Sequence, residues 1–208
     1  MIDRAALGRR FARLATDAAV RSPFLWKLFR PLVRRQFDAL APVWGSMLLE
    51  DTLAPYDAAL DQVPGTPSRI LDVGTGTGAG ARRLAARFPT ATVVGVDLSD
   101  AMLEHARRDT PSELQVTYQR ADASALPFPD GSFDLVTHAN MIPFFDEVAR
   151  VVAPGGHVLF AFSSGAGTPI YVPPERLRQE LQRRGFTDFA DVQAARGNAL
   201  LARKGHPA

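Results

Sequence analysis

The hydrophobic and polar positions follow two different patterns, which divide the chain near residue 64. Residues 1–62 place apolar side chains at the three- and four-residue spacing of helices and show no strand pattern. From residue 69 onward, short apolar runs alternate with amphipathic stretches, as strands and helices do. The intervening segment 64–68, PGTPS, has the composition of a linker. We therefore predict a helical extension or lid over 1–63 and an α/β domain over 64–208.

The helical extension contains a basic amphipathic segment at residues 22–35. Ser22 is placed to cap a helix whose first residue is Pro23, and Pro31 is expected to break or restart that helix. Apolar residues recur at helical spacing, with Lys and Arg mostly between them. We expect the rest of the extension to continue in short helical pieces.

The α/β domain is predicted to contain seven strands. Strands are expected at 69–73, 91–97, 114–120, 132–140 and 155–163, and a closing hairpin at 186–204 that turns at Arg196 and Gly197. Helices are expected between them at 79–88, 99–108, 146–153 and 173–185. This alternation implies a doubly wound, mostly parallel, Rossmann-like sheet with right-handed crossovers. The C-terminal hairpin adds an antiparallel strand to it.

The charge of the chain is uneven, and this affects the interpretation of the extension. The net charge is +2, but residues 1–35 contain nine Lys or Arg and two Asp, so this arm carries +7. Three roles are open for such an arm: a lid over the active site, a contact with an anionic membrane surface, or plain packing on the domain. We favour the lid. The arm matches no recognised RNA-binding module, so we do not expect a nucleic-acid partner.

The composition excludes several classes of site. There is no cysteine, and the four histidines have no metal-ligand spacing, so we expect neither a disulfide framework nor a metal site. No apolar run approaches the length of a transmembrane helix, and the N-terminus lacks the compact apolar core of a signal peptide. We therefore expect a cytoplasmic protein.

The stretch RILDVGTGTGAG, residues 69–80, predicts a ligand site at the carboxyl edge of the sheet. Glycines after a buried strand allow a tight turn and close approach to a ligand, and the following helix start favours an anionic or polar group. The second strand ends at Asp97, 21 residues after Gly76, where a carboxylate can accept hydrogen bonds from both ribose hydroxyls. A nucleoside-containing ligand is expected. A dinucleotide remains possible, since Gly74, Gly76 and Ala79 also fit the pattern GxGxx(G/A).

Three features favour a methyl donor over a dinucleotide. Asp72, directly before the glycines, would sit poorly beside a pyrophosphate but suits a ligand with an ammonium group. Asp122 follows the third strand, where it could accept from an adenine amino group. The chain also shows no separate substrate domain and no Tyr-x-x-x-Lys pair for hydride chemistry.

Residues 68–163 resemble a class I S-adenosylmethionine-dependent methyltransferase of the methyltransferase type 11 or ubiquinone/menaquinone-methyltransferase-like kind. The resemblance rests on ILDVGTGTG, VVGVDLSDAMLEHAR, ADASALPFPDGSFDLV and RVVAPGGHVLF. It implies that S-adenosylmethionine is the cofactor, with S-adenosylhomocysteine as product. The implied cofactor-binding residues are Asp72, Gly74, Thr75, Gly76, Gly78, Asp97, Leu98, Met102, Asp122, Ala123 and Asn140. In FDALAPVW, Trp44 stands where the family usually has Tyr.

The acceptor side of the site is less defined by the sequence. His138 and Asn140 end the fourth strand, above the sheet; His138 is a candidate general base or a structural histidine, and Asn140 could bind the acceptor or the methionine end. Trp44, Phe144 and Tyr171 are candidate substrate contacts, although such aromatic residues are more often core. The segment 137–156 is shorter than usual for the family.

The expected function is methyl transfer to oxygen, carbon or nitrogen of a small organic acceptor. Two alternatives remain: a nicotinamide-dependent oxidoreductase that uses Asp97 on the adenine ribose, and a non-catalytic S-adenosylmethionine-binding subunit. The sequence specifies neither the acceptor nor the oligomeric state.

Overall fold

The structure, a computed structural model, describes residue 16, residues 23–47 and residues 51–206. Ser22, the predicted helix cap, lies outside these ranges. The described residues form, in chain order, α1 (Pro23–Met47), α2 (Ala54–Leu60), β1 (Arg69–Val73), α3 (Ala79–Arg87), β2 (Thr92–Asp97), α4 (Asp100–Asp109), β3 (Val116–Arg120), β4 (Phe133–Ala139), α5 (Phe145–Val151), β5 (Val152–Phe162), a 3-10 turn (Gly165–Gly167), α6 (Pro174–Gln182), β6 (Phe186–Ala194) and β7 (Gly197–Lys204).

One seven-stranded sheet carries the fold, in the order β3-β2-β1-β4-β5-β7-β6. Strands β1 to β5 pair in parallel, and β7 runs antiparallel to both β5 and β6. The predicted doubly wound sheet with a C-terminal hairpin is therefore confirmed. Because the parallel strands end at one edge, the glycine loop after β1 and the ends of β2 and β4 come together there.

Both faces of the sheet are covered by apolar clusters. One cluster includes Val73, Val136 and Phe160, and the other includes Leu84 and Leu135. Helix α2, which belongs to the predicted extension, joins the second cluster and contacts β5, β6 and β7. At least this part of the extension therefore packs as an integral layer of the sheet's cover.

The prediction that Pro31 breaks the first helix is wrong. Helix α1 continues from Pro23 to Met47 with Pro31 and Pro42 inside it, and the short helical pieces expected up to Met47 are one helix. The physical reason lies on its inner face, where apolar side chains spaced seven, four and seven residues apart face the domain: Trp26, Val33, Phe37 and Trp44. We attribute the continuity of α1 to this packing, which outweighs the loss of the proline hydrogen bonds.

The start of α3 requires glycine for two different reasons. Gly78 caps the helix in the left-handed region, with φ of 81°, and a Cβ there would lie 3.1 Å from the Ala106 methyl. Gly80, two residues later, faces β1: a Cβ would lie 2.9 Å from Oδ2 of Asp72. The absence of a side chain at Gly80 lets the first turn of α3 approach this carboxylate.

This close approach predicts the effect of adding one methyl group. We expect Gly80→Ala to reduce the free energy of unfolding by about 1–3 kcal/mol, because α3 or Asp72 must shift. Gly45→Ala is the matched control: Gly45 lies in α1 with no atom within 4 Å of an added Cβ. It should be neutral or raise stability by about 0.5–1 kcal/mol through helix propensity. Urea denaturation of both variants checks this, and equal effects would contradict it.

Candidate functional site

A cavity opens at the carboxyl edge of the sheet, between the glycine loop, the ends of β2 and β4, and the inner face of α1. Ten residues predicted for the site line it: Trp44, Asp72, Gly74, Thr75, Gly76, Asp97, Leu98, Met102, Ala123 and Asn140. The structure thus brings most of the sequence-predicted site residues into one place. Gly78, Asp122, His138, Phe144 and Tyr171 do not line this cavity.

Asp72 is the most buried charged group at the cavity, with 2% of its surface exposed. Its Oδ1 accepts a hydrogen bond of 2.9 Å from the Thr137 hydroxyl, which in turn accepts one of 3.1 Å from Tyr56. Burial raises the pKa of Asp72 to about 6. The hydroxyls of Thr75 and Thr137 act in the opposite direction, although only Thr137 makes a hydrogen bond of good geometry.

Asp97 closes the opposite side of the glycine loop. Its two oxygens each accept one backbone N–H bond of 2.9 Å, Oδ2 from Gly76 and Oδ1 from Ser99. Burial raises the pKa of Asp97, while these backbone bonds lower it. The carboxylate is therefore held rigidly, and each oxygen keeps a lone pair that can accept a further hydrogen bond.

The glycine loop is fixed to β2 and leaves one polar group free. The backbone N–H groups of Gly74 and Thr75 both donate to the Val96 carbonyl, at 2.8 and 2.9 Å. The Thr75 hydroxyl is buried and has no hydrogen-bond partner among the described residues. The Trp44 indole lies over Gly76, 3.5 Å from the point where a Cβ would stand. The loop is thus shaped as a cradle beneath α1.

Asp122, expected to meet an adenine amino group, is bonded to α1 in this structure. Its Oδ1 accepts from the Trp26 indole N–H and its Oδ2 from Arg30, both at 2.9 Å, and Ser124 donates from backbone and side chain. Burial alone would raise the pKa of Asp122, but these bonds outweigh it and hold the pKa below its usual value. The carboxylate borders a second, neighbouring cavity with Arg30, Arg34 and Arg120.

His138 lies beneath the cavity rather than in its wall. The ring is 1% exposed and stacks on Phe160 at 4.7 Å, and neither nitrogen has a hydrogen-bond partner among the described residues. Burial lowers the pKa of His138 to about 3. Its general-base role stays a prediction, and this placement argues against it. Asn140, two residues later, does line the cavity, and its side-chain oxygen accepts from the Ser163 N–H.

Two of the three predicted substrate contacts, Phe144 and Tyr171, do not line the cavity. Phe144 is buried edge-on against Trp26 at 5.2 Å, and Tyr171 packs edge-on against Phe162. Near the end of β4, the apolar wall of the cavity is formed by residues from several segments: Phe37, Leu53, Met141, Ile142 and Ile170.

Sequence reasoning missed four residues that act around the site. The helical spacing of α1 contains the signal for Trp26, whose position repeats those of Val33 and Trp44. Arg30 is one of the nine basic residues of the arm, and the sequence contains no signal for its partner, Asp122. Tyr56 and Thr137 carried no signal, because a tyrosine in a short helix and a threonine in a buried strand are ordinary core residues.

Known methyltransferases match this chain in both sequence and fold. A family described as a methyltransferase domain matches residues 70–156. A demethylmenaquinone methyltransferase of Thermus thermophilus is 46% identical over 111 residues, which cover 50% of this chain and 49% of that protein. The demethylmenaquinone methyltransferase of Deinococcus radiodurans is 32% identical over 173 residues, covering 62% of this chain and 72% of that protein.

The chain spans about half the length, or less, of the first curated relatives that it matches, between 40% and 49%. Among solved structures, a putative methyltransferase of Haloferax volcanii in complex with the Trm112 activator superposes with a TM-score of 0.68. It shares 20% identity, and the match covers 82% of this chain and 98% of that one. At this identity the likeness concerns the fold.

Because Asp72 is buried, we expect that replacing it with a neutral side chain will stabilise the protein. Its pKa in the folded protein, about 6, lies above the ordinary 3.8, so ionisation of Asp72 costs stability as pH rises through this window. At about pH 8, Asp72→Asn should raise the free energy of unfolding by up to about 3 kcal/mol, and at about pH 4 it should change it little. Urea denaturation at the two pH values measures both.

Asp134→Asn is the control, and it should change the free energy of unfolding in the opposite direction. Asp134 accepts bonds from Ser68 and Arg69, which outweigh its partial burial and lower its pKa. Asp134→Asn should therefore cost stability at about pH 8 and lose that effect at low pH. A destabilised Asp72→Asn protein at about pH 8 would contradict the assignment of a costly buried charge.

Proposed function

Because the chain belongs to the class I S-adenosylmethionine-dependent methyltransferases, we propose that its cavity binds S-adenosylmethionine and that the protein methylates a small organic acceptor. One observation carries this proposal above the others. Asp72 is a buried carboxylate beside a glycine loop, and no cation among the described residues pairs with it. A site of this kind is suited to a ligand that brings its own ammonium group.

The residues present fit the remaining parts of this donor. The unpartnered Thr75 hydroxyl and the glycine loop suit its polar amino-acid end. Asp97 retains one lone pair on each oxygen for the two ribose hydroxyls. Leu98, Met102 and Ala123 offer an apolar slot for the base. We include Asn140 with the methionine end because it lines the same cavity.

The chain contributes to methyl transfer mainly by positioning and by excluding water. Bound S-adenosylmethionine supplies a methyl group activated by its attachment to a positively charged sulfur. Helix α1 covers the cavity with Trp26, Phe37 and Trp44, and we assign it the role of a lid. Aligning the acceptor with the methyl group in a closed cavity is worth several kcal/mol when the geometry is fixed.

The ionisable side chains along the described cavity wall restrict the class of acceptor. They are Asp72 and Asp97, and both are assigned to the donor. An acceptor must then bring a nucleophilic atom that is already ionised or readily gives its proton to water. We propose an acceptor with an acidic oxygen or a stabilised carbon on an apolar body, since Met141, Ile142 and Ile170 face it. A protonated amine would need a base that this wall does not offer.

Two rival functions are less consistent with the site. A nicotinamide dinucleotide would place its pyrophosphate close to the Asp72 carboxylate, where two negative charges repel. A non-catalytic donor-binding subunit would retain the donor cavity but need no acceptor wall. The apolar wall extending beyond Asn140 favours an enzyme.

Calorimetric titration with S-adenosylhomocysteine, and with NAD in parallel, tests the donor. We expect micromolar binding of the first and none of the second. Asp97→Ala should weaken S-adenosylhomocysteine binding by more than about tenfold, since two hydrogen bonds to a charged group are lost. Asp100→Ala is the control, because Asp100 is a neighbouring exposed carboxylate paired with Arg120 outside the cavity.

Either of two results would refute the donor assignment. Binding of NAD without binding of S-adenosylhomocysteine would indicate an oxidoreductase instead. Wild-type affinity in Asp97→Ala would remove Asp97 from the ribose. After a positive result, a screen of phenols, carboxylic acids and quinone precursors with labelled donor would identify the acceptor class.

The outer face of α1 supports a membrane contact as part of this function. Four large apolar side chains, between 50% and 66% exposed, are spaced four, eleven and four residues apart and so share one side of the helix: Leu28, Leu32, Val43 and Met47. The exposed Arg35 lies at the edge of this stripe, and the exposed Lys27 lies about 100° around the helix from Leu28. Asp38, the one acidic residue of α1, accepts a hydrogen bond from Ser99 instead. No helix within the described ranges is long and apolar enough to cross a bilayer.

We propose that this stripe lies on an anionic membrane surface. An apolar line with exposed cations on the same helix matches the acyl boundary and the charged headgroups of such a surface. The inner face of the same helix covers the cavity, so an apolar acceptor dissolved in the membrane would reach the site along α1.

Flotation with phosphatidylcholine vesicles, with and without phosphatidylglycerol, tests this contact. The wild type should float with the anionic vesicles, and Leu28→Ser with Leu32→Ser should reduce the bound fraction several-fold. Lys27→Gln with Arg35→Gln should reduce it as well, whereas Arg107→Gln with Arg108→Gln, on the exposed face of α4, should not. Equal loss in both arginine pairs, or a dimer that the serine variants abolish, would contradict the proposal.

A further inference from the structure

A chain of two hydrogen bonds connects helix α2 to the cavity. The Tyr56 hydroxyl donates to Thr137 Oγ1 at 3.1 Å, and the Thr137 hydroxyl donates to Asp72 Oδ1 at 2.9 Å. Tyr56 and Thr137 are both fully buried. Neither side chain lines the cavity, so any effect on a ligand must pass through Asp72.

We propose that Tyr56 and Thr137 are positioning residues, which together hold the Asp72 carboxylate in the orientation that binds the amino group of the methyl donor. This inference rests on the proposed donor. It assigns a role in the site to α2, a helix that precedes the glycine loop and shares no sequence motif with it.

The chemistry of the two hydroxyls fixes the direction of these hydrogen bonds, from Tyr56 through Thr137 to Asp72. Burial raises the pKa of Tyr56 well above its ordinary value, so this hydroxyl stays a donor at physiological pH. Thr137 has a single proton, with two acceptors within reach: Asp72 Oδ1 at 2.9 Å and the Leu71 carbonyl at 3.4 Å. The bond from Tyr56 polarises the Thr137 hydroxyl and strengthens the shorter of these two bonds.

The groups around Asp72 make this bond important. Burial and the charge of Asp97 oppose its ionisation, while Thr75, Thr137 and the Ala81 backbone N–H favour it. Three other titratable or charged groups lie nearby. Asp57 and Arg83 interact electrostatically with Tyr56, and Tyr118 interacts with Asp72. No Lys or Arg among the described residues neutralises Asp72, so the chain of hydroxyls is a major polar support of its charge.

A purely structural tyrosine would not explain this arrangement. The Tyr56 ring packs in an apolar cluster with Leu84 and Ile70, where phenylalanine would fill the same space without a polar group. A hydroxyl placed there is costly unless it is paired. Its one partner given by the structure is Thr137, which leads to Asp72.

The test uses three variants and a matched control on the full chain. Tyr56→Phe and Thr137→Val each remove one bond, and Thr137→Ser keeps the hydroxyl. Tyr118→Phe is the control, because that hydroxyl also pairs with a threonine, Thr110, but does not bond to Thr137 or Asp72. Thermal unfolding confirms that each variant is folded before binding is measured.

Two readouts separate positioning from structure. In the ligand-free protein, carbon NMR should show the Asp72 carboxyl titrating at a higher pH in Thr137→Val, and to a smaller extent in Tyr56→Phe, than in wild type. S-adenosylhomocysteine binding should weaken about tenfold in Thr137→Val at about pH 7 and partly recover at about pH 8.5, where Asp72 is again ionised. Thr137→Ser and Tyr118→Phe should behave as wild type.

The outcomes distinguish the failure of this inference from that of the proposed function. Wild-type binding with unchanged titration and affinity in Tyr56→Phe and Thr137→Val would overturn the inference and leave the donor assignment standing. A pH-independent loss of affinity that Thr137→Ser does not rescue would also overturn it, as a structural effect. If wild type itself fails to bind S-adenosylhomocysteine, the proposed function fails and the inference with it.

Discussion

The structure around the cavity is organised by one buried charge, the carboxylate of Asp72. Its burial raises its pKa to about 6, so at neutral pH the folded protein carries an ionised group that water would solvate better. Neighbouring features reduce that cost. Gly80 lets the first turn of α3 come close, and the parallel register of β1 and β4 sets Thr137 beside Asp72. A cationic ligand would offset the remainder, so the same unfavourable charge that weakens the empty fold becomes a source of affinity.

Helix α1 both covers the cavity and bonds to Asp122. Its inner face closes the cavity through Trp26, Phe37 and Trp44, and its bonds to Asp122 occupy both oxygens of a carboxylate at the adenine end of the predicted site. Under the proposed function, closure of α1 and binding of the adenine base would therefore depend on the same side chain, Asp122. Because Trp26 and Trp44 both line the cavity, a break at Pro31 would separate two side chains that cover it from the same helix.

The sheet and the glycine loop were predictable because their signals are local, whereas the side-chain partners were not. Strand–helix alternation and the spacing from Gly76 to Asp97 indicated a mostly parallel sheet with a ligand site at its carboxyl edge, where the cavity lies. Strand β4 is buried on both faces, so it shows no alternation that tells which of its residues faces the site. The sequence therefore predicts His138 at the cavity, but the lining of the cavity begins one residue later, at Ala139. The partnership of Tyr56 with Thr137 spans 81 positions and depends on tertiary packing alone.

Different segments of the chain supply the two sides of the cavity. The wall proposed for the donor comes from the glycine loop and strand ends, whose geometry the sheet dictates. The wall proposed for the acceptor comes from α1, from Leu53 before α2, and from the short segment after β4, with Ile170 beyond β5. These are connections and extensions, whose sequences can change without disturbing the sheet. Under the proposed function, acceptor specificity should accordingly reside in the extension more than in the domain core.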